Sequence, residues 1–172
     1  MGMKKNTRKP ALRKLAGKVL LLRTVAKDWK SYNNFLWPRK VGAVVEAPDW
    51  NREPECGGGL HGLRHGEGDS VRLDWSKGMH WLVIEADAKD VVDIKDGGKK
   101  SKCRKCMIVH IGNQKSATQY LLEHGGYGRA IVGLIASCGH DERIVGGGRC
   151  PLIGRERATV TGGYRATVTG DN

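Results

Sequence analysis

The segment Glu46-Ala-Pro-Asp-Trp-Asn-Arg-Glu-Pro-Glu-Cys56-Gly-Gly-Gly-Leu-His61-Gly-Leu63 carries the strongest local signal for the fold. Three consecutive glycines lie in it between Cys56 and His61. Because glycine has no Cβ, it adopts left-handed conformations readily and lets other groups approach closely. We therefore predict an unusual backbone path at these glycines. Prolines and further glycines interrupt any regular pattern, so the sequence predicts a loop from Pro48 to Asp69, with a short helical turn after Gly59.

Short apolar runs on both sides of this loop predict β-strands. Such runs are rich in β-branched residues, alternate in part between apolar and polar positions, and are bounded by turn residues. The predicted strands are Lys18–Thr24, Ala43–Glu46, His80–Ala86, Val91–Ile94, Cys106–Ile111 and Arg129–Ala136. A basic segment, Gly97–Lys105, is predicted to be a hairpin loop.

One helix is predicted after the last of the central strands. Asn113 or Ser116 can cap its N-terminus, and Gly125-Gly126 ends it. Between these signals, apolar and aromatic residues recur at helical spacing, namely Ala117, Tyr120, Leu121 and His124. The fold class is therefore α+β, a sheet-dominated single domain with one helix.

The chain ends in an eight-residue repeat. Arg157–Tyr164 is followed by the closely similar Arg165–Asn172, and Arg149–Glu156 is a degenerate copy. Thr-Val-Thr favours strands and Gly-Gly favours turns, so the period indicates stacked β-turns or a hairpin ladder. Alternation places Thr159 and Thr161 on the face opposite Val160.

These repeats form the last of three predicted parts. The parts are a basic N-terminal arm (1–17), an α+β domain (18–140) and a Gly-rich segment with octad β-repeats (141–172). An uncapped strand edge favours pairing with another chain, and a hairpin folded back on the domain is the alternative. For the pairing alternative, the predicted assembly residues are Val160, Thr161, Val168 and Thr169.

Positive charge is concentrated in two stretches. The net charge is +12, from 30 Lys and Arg against 18 Asp and Glu, and more than half of the basic residues lie in residues 1–40 and 95–105. Such an excess favours nucleic acid, a nucleoprotein or an acidic protein as partner. The predicted partner-binding residues are Lys4, Lys5, Arg8, Lys9, Arg13, Lys14, Lys99, Lys100, Lys102, Arg104 and Lys105.

Apolar runs in this chain are short. None approaches the 18 residues that a membrane-spanning helix needs, and Val19–Leu22 is too short for the core of a signal peptide. We therefore expect the protein in a host cytoplasm or in a virion.

A set of Trp-containing motifs resembles an uncharacterised domain family of phage and bacterial genomes. The motifs are Trp37-Pro38, Val45–Trp50, Cys56–Leu63, Leu73–Ser76 and Trp81–Val83. The resemblance covers about residues 18–140, and many members continue into short Gly-Thr-Ala repeats. It implies a phage or prophage origin and no particular activity. The Lys-rich, Cys-containing segment 99–106 departs from the family pattern.

Cys56 and His61 are a candidate chemical pair. A thiolate needs a base or a positive field to form near neutral pH, and a nearby histidine can supply it. His65 with Asp69 or Asp74 could orient such a base. The alternatives are a ligand- or peptide-binding loop and a purely structural loop, because sequence spacing does not define the geometry of a catalytic group.

Cys103-Arg-Lys-Cys106 is half of a possible zinc site. Cys138 and His140, or Cys150, could complete it, although the second half lacks the usual two-residue spacing. A disulfide or plain thiols are the alternatives. We expect no cofactor other than this possible zinc ion.

Aromatic residues are interleaved with basic ones over residues 23–40. Aromatic rings can stack on bases while Lys and Arg contact phosphates. The same rings are equally suited to a core, which is the interpretation favoured for a small domain. The residues are Trp29, Tyr32, Phe35 and Trp37 with Arg23, Lys27, Lys30, Arg39 and Lys40.

Together these patterns predict a phage-type, non-enzymatic binding protein whose basic face engages nucleic acid, a nucleoprotein or an acidic host or viral protein. Modulation of a host defence is one role that fits such a protein. The first alternative is a virion component that assembles through the C-terminal repeats, with a homo-oligomer as one form. The second is an enzyme that uses Cys56 and His61.

Overall fold

A seven-stranded sheet organises the chain. The computed structural model describes residues 16–96, 100–138, 143–154, 159–163 and 165–170. The strands of the sheet are β1 (Lys18–Val25), β2 (Val44–Glu46), β3 (Leu60–Arg64), β4 (His80–Asp87), β5 (Val91–Asp93), β6 (Lys100–Cys103) and β7 (Lys105–Gly112). Their order is β2-β7-β4-β1-β3-β6-β5, and every pairing is antiparallel.

The central strand β1 is buried on both faces. Leu20 and Leu22 belong to one apolar cluster, and Val19, Leu21 and Val25 belong to the other. Because both faces are covered, the strand reads as a continuous apolar run rather than as an alternating one. Along its length β1 pairs with β4, which confirms the two strands that the sequence predicts most clearly.

The sheet curls into a half-barrel. The strands β6 and β7 lie on opposite sides of the sheet, yet only Arg104 separates them in sequence. The backbone amide of Ala47, just after β2, donates to the carbonyl oxygen of Arg104 at 2.8 Å. This short connection brings the two sides of the sheet together around the cluster that contains Leu21, Ile84 and Ile108.

The predicted helix is present as α1 (Gln114–Leu121). The Asn113 side chain accepts from the Ser116 backbone amide, and the Ser116 hydroxyl accepts from the Asn113 amide, which is a capping box. A widened helical turn, Leu122–Gly126, continues the helix, and Gly125 ends it at φ +101°. Among the described residues α1 is the one α-helix, so a sheet-dominated fold with one helix is confirmed.

Parallel strands occupy the C-terminal segment. They are β8 (Ala136–Cys138), β9 (Arg143–Val145), β10 (Pro151–Gly154), β11 (Thr159–Thr161) and β12 (Thr167–Gly170). One parallel sheet has the order β12-β10-β8, and β11 pairs with β9 in a second. Cys150 and Leu152 are buried in the same cluster as Leu20 and Leu134, so this segment packs directly on the domain.

Two strands lie where the sequence predicts loops. The first, β3, occupies the part of Pro48–Asp69 for which a helical turn is predicted, and it pairs with β1 and β6. Its Gly62 lies so close to β1 that an added Cβ would be 2.9 Å from the carbonyl oxygen of Leu22. Glycine therefore marks a close approach between two paired strands here rather than a turn.

The second unexpected strand is β6, within the predicted basic hairpin Gly97–Lys105. It pairs with β3 on one edge and β5 on the other, and Ser101, Lys102 and Cys103 in it are all buried. The prediction of a strand over Arg129–Ala136 is also wrong in extent. Only its last residue begins a strand, β8, and the preceding residues form turns that pack Ile131 and Leu134 into the core.

Candidate functional site

The glycine loop has the unusual path that its sequence predicts. Gly57, Gly58 and Gly59 have φ angles of +98°, +57° and +154°. An added Cβ at Gly59 would lie 3.1 Å from the ring of Trp50, so the indole packs directly against the backbone. Both properties that glycine supplies, left-handed conformation and close approach, are therefore used here.

A buried lysine holds this loop. The Nζ of Lys102 donates to the Asn51 side-chain oxygen at 2.9 Å and to the Gly57 carbonyl oxygen at 2.8 Å, and it lies 5.9 Å from the centre of the Trp50 ring. Lys102 is fully buried. The expectation that it lies on an exposed basic face is therefore corrected.

The structure places Cys56 and His61 in different roles. Cys56 is exposed, and its sulfur lies 3.0 Å from the Nζ of Lys100. His61 accepts at Nε2 from the backbone amide of Gly57 at 3.4 Å. Burial, together with the charges of Lys100, Arg23 and Lys102, lowers the pKa of His61 to about 4. His61 is therefore neutral near pH 7 and serves the loop as a hydrogen-bond acceptor.

The groups expected to orient a base make other contacts. Asp69 accepts from the backbone amide of Val71 at 3.0 Å, and Asp74 accepts from that of Ser76 at 2.9 Å. His65 has φ +54°, and burial lowers its pKa, with the charge of Arg129 adding to the effect. Within the described part of the chain, the hydrogen bonds of Asp69 and Asp74 do not join either side chain to His61.

Four cysteines are free thiols in the described part of the chain. The Cys103 sulfur lies 3.6 Å from the Leu60 carbonyl oxygen, and a hydrogen bond with Cys103 raises the pKa of Cys106, with burial adding to it. Cys150 donates to the Ile131 carbonyl oxygen at 3.0 Å. No cluster of three possible metal ligands occurs among the described residues, and His140 and the Cys138 side chain lie outside them. Zinc binding stays a prediction.

The interleaved aromatic residues divide between core and surface. Trp29 and Trp37 are buried, as the core interpretation predicts, whereas Tyr32 is 86% exposed. The guanidinium of Arg23 lies 3.8 Å above the centre of the Trp37 ring. Sequence reasoning missed this partly buried cation. Its signal was a charged residue two positions after Leu21, on the same strand face.

The remaining predicted basic residues occupy varied surroundings. Arg104 forms an ion pair with Glu46 at 3.1 Å, Lys105 is exposed, and Lys100 is half-buried beside Cys56. The predicted residues of the arm and the loop lie outside the described residues, namely Lys4, Lys5, Arg8, Lys9, Arg13, Lys14 and Lys99.

Threonines cover the outside of the last two strands. Thr159 and Thr161 are exposed, while Val160 between them packs against the core. Thr167 and Thr169 are likewise exposed, and Val168 is 49% exposed. The described C-terminal strands therefore present threonine side chains to solvent, and the Thr169 hydroxyl also donates to the Leu152 carbonyl oxygen at 3.5 Å.

Residues 19–121, from β1 to the end of α1, match the family model described as "Domain of unknown function (DUF7666)". The chain belongs to this family. The match covers all seven strands of the half-barrel together with the glycine loop. No solved structure matches this DUF7666 chain.

The curated relatives of the DUF7666 chain carry a functional name. Ice nucleation protein InaU of Pantoea ananas is 32% identical over 107 residues, which are 62% of this chain and 10% of that protein. An ice nucleation protein of Enterobacter agglomerans is also 32% identical over 62% of this chain and 8% of its own length. One of Pseudomonas fluorescens is 28% identical over 62% and 9%. The chain thus spans about a tenth of the length of these relatives.

These relatives overturn the expected function. From the sequence we predict a phage protein that binds nucleic acid or a nucleoprotein, modulates host defence or belongs to a virion. This prediction is wrong, because the matched proteins are bacterial and are named for ice nucleation.

Within the described residues, no helix has the length and apolar character needed to cross a membrane.

Proposed function

We propose that this chain nucleates ice through its threonine-bearing C-terminal strands, with the DUF7666 domain as their base. The observation that carries the proposal is the parallel pairing of these strands at a constant offset. Ala136 pairs with Leu152, and Leu152 pairs with Val168, at successive offsets of 16 residues. Ile144 pairs with Val160 at the same offset.

This offset turns an eight-residue repeat into a coil of two octads. Successive octads alternate between the sheet of β8, β10 and β12 and the sheet of β9 and β11. Each coil therefore adds one strand to each sheet. Stacked coils of this kind bury a continuous interior that a single repeat cannot bury alone.

The two Thr-Val-Thr strands, β11 and β12, lie in different sheets, and the strands paired with them carry no threonine at the partner positions. Threonine hydroxyls would therefore form a regular grid only where further copies of the octad extend the stack. Neighbouring strands are about 4.7–4.9 Å apart, and alternate residues along a strand are about 6.6 Å apart. Each hydroxyl can both donate and accept a hydrogen bond to water. Repeated Thr-Val-Thr strands would thereby hold water molecules at fixed spacings, which favours a crystalline arrangement over a liquid one.

The domain supplies a starting surface for the stack. Leu152 is fully buried against the domain, and Val160 and Ala166 pack on the same cluster. Terminal repeats need such a cover because their interior would otherwise face water. The relatives named for ice nucleation support assigning this combination of base and repeats to water ordering.

Removing the hydroxyl groups should abolish nucleation. We expect droplets that contain the full chain to freeze at a higher temperature than buffer droplets. The replacement of threonine by valine keeps the branched shape and removes the hydrogen-bonding group. A variant with Thr159→Val, Thr161→Val, Thr167→Val and Thr169→Val should freeze with the buffer in a droplet-freezing assay.

A control variant should keep the freezing temperature of the parent chain. It carries glutamine at four exposed lysines of the domain, Lys27, Lys40, Lys77 and Lys115. Equal freezing temperatures for the valine variant and the parent chain would contradict the proposal. Freezing of parent-chain droplets at the same temperature as buffer droplets would also contradict the proposal.

An exposed apolar residue points to growth of the stack by self-association. β12 is an edge strand of its sheet, and Val168 is 49% exposed although its counterpart Leu152 is buried. Edge strands offer unpaired backbone groups to a further strand.

Val168→Asp should therefore lower the mass measured by light scattering at high protein concentration. Val44→Asp, at a 58% exposed valine of the edge strand β2, is the control and should change nothing. A parent chain that stays monomeric would contradict this prediction.

A further inference from the structure

A second feature lies in the half-barrel, away from the threonine strands. A cavity of about 520 Å³ is bounded by β1, β3 and the loops that contain Tyr32 and Cys56. Its volume is in the range of small-molecule sites, which are mostly apolar with a few convergent polar groups. The apolar walls include Phe35, Trp37 and Leu73.

Arg23 lines this cavity, and no carboxylate among the described residues forms an ion pair with it. Its Nη1 donates to the His61 carbonyl oxygen at 3.2 Å, and its Nε is shielded from solvent without a hydrogen-bond partner in the described structure. Burial lowers the pKa of Arg23 to about 10. An unpaired guanidinium in such a place is costly, and an anion would relieve the cost.

Further positive charge converges on the same space. Lys100 lines the cavity, and the positive charges of Lys100, Arg23 and Lys102 all act on His61. Arg72 also lines it but is paired with Asp96 at 3.0 Å. Asp49 is the acidic group in the lining, and it lies at the exposed rim. The cavity therefore keeps a small positive excess, which suits a monoanion better than a dianion.

The walls around Arg23 are held in place. The Trp37 indole donates to the Ser31 hydroxyl at 3.0 Å, and the Trp37 amide donates to the Trp29 carbonyl oxygen at 2.8 Å. Trp29 itself has φ +66° and stacks on His80 with ring centres 4.0 Å apart. A left-handed tryptophan persists only where its surroundings enforce it. The platform beneath Arg23 is thus preorganised for a ligand.

We propose that this cavity binds a small organic monocarboxylate with a flat apolar body. The planar guanidinium of Arg23 matches a carboxylate, and Lys100 adds a second charged donor. The apolar body lies against Phe35 and Leu73. This binding site is separate from the threonine strands and does not depend on ice nucleation.

Isothermal titration calorimetry of the full chain tests the site with defined probes. The probe is 2-naphthoate, and its neutral amide, 2-naphthamide, has nearly the same shape. We expect naphthoate to bind with a Kd below about 1 mM and the amide to bind at least about tenfold more weakly, because it lacks the charge. Inorganic phosphate should not bind.

Two cavity variants and one surface control assign the binding to these residues. Arg23→Gln and Lys100→Gln should each weaken naphthoate binding about tenfold or more, since each removes a charged donor. Lys105→Gln removes an exposed lysine close in sequence to β6, the strand that carries Lys100. This variant should leave the Kd for naphthoate unchanged. Circular dichroism checks folding, and if Arg23→Gln unfolds, Lys100→Gln carries the test.

Several outcomes would overturn the proposal. They are absence of naphthoate binding to the parent chain, equal binding of the amide, binding of phosphate instead of naphthoate, and equal loss of binding in Lys105→Gln. Each outcome concerns the domain cavity alone and leaves the freezing assay of the threonine variants unaffected.

Discussion

Replacing Trp37 by alanine should lower the free energy of unfolding by about 3–5 kcal/mol. Trp37 is 1% exposed, so the substitution removes the largest fully buried side chain of the described structure. It also leaves the Ser31 hydroxyl without the indole N–H and Arg23 without the ring beneath it. The surrounding half-barrel is tied by strand pairing and cannot collapse fully into the space, which adds a cavity cost.

Tyr32→Ala is the matched control for this prediction. Tyr32 is an aromatic residue of the same loop, but it is 86% exposed and should cost less than about 0.5 kcal/mol. Urea unfolding followed by far-ultraviolet circular dichroism measures both variants. A Trp37→Ala protein within 1 kcal/mol of the parent would show that this loop does not complete the core.

Gly147→Ala should lower the free energy of unfolding by about 3 kcal/mol, through crowding of backbone atoms. An added Cβ would lie 2.9 Å from the Val132 nitrogen and closer still to the Ala130 carbonyl oxygen. The backbone cannot move aside easily, because the Gly147 amide donates to Ile131 at 2.7 Å and its carbonyl accepts from Gly163 at 3.0 Å.

Gly128→Ala separates crowding from backbone strain. Gly128 has φ +79°, but an added Cβ there would meet nothing within 4 Å. It should therefore cost only the left-handed penalty of about 1–2 kcal/mol. Equal melting temperatures for the two variants would contradict tight backbone packing between residues 130–132 and Gly147.

Much of the sheet could be predicted from sequence, because its central strands have strong apolar runs. Lys18–Val25, His80–Asp87 and Lys105–Gly112 are all close to their predicted limits. The helix was predicted for the same kind of reason, since its cap and its terminating glycines are local signals. Elements that depend only on their own residues were thus found correctly.

Elements that depend on their neighbours were missed. β3 contains Gly62, which reads as a loop residue until the close approach of Leu22 is known. β6 contains Lys102, which reads as a surface residue until its contacts with Asn51 and Gly57 are known. In both cases a tertiary contact reverses the local preference.

For the candidate sites too, local features could be predicted from sequence, and features that depend on tertiary contacts could not. The period of the octads is visible in the sequence. The division of successive octads between two sheets appears only in the structure, where Leu152 pairs with Ala136 and Val160 pairs with Ile144. Likewise, the glycines predicted the path of their loop, whereas the unpaired Arg23 above Trp37 requires the folded sheet.

Net charge misled the functional prediction. A net charge of +12 describes what the chain attracts at long range, but it does not say which cations are free. Lys102 is buried and Arg23 is enclosed in the cavity. In the described segments, five other basic residues form ion pairs with carboxylates, namely Lys18, Arg64, Arg72, Arg104 and Arg129.

The one-residue connection at Arg104 has a consequence for the folding kinetics. A single residue joins β6 to β7. The pairing of β6 with β3 and the pairing of β7 with β4 must therefore form together. These partners are distant in sequence, and distant pairings form slowly. We therefore expect the two sides of the sheet to form in one late, cooperative step. Their amide protons would consequently share one free energy of opening in hydrogen exchange, that of the whole sheet.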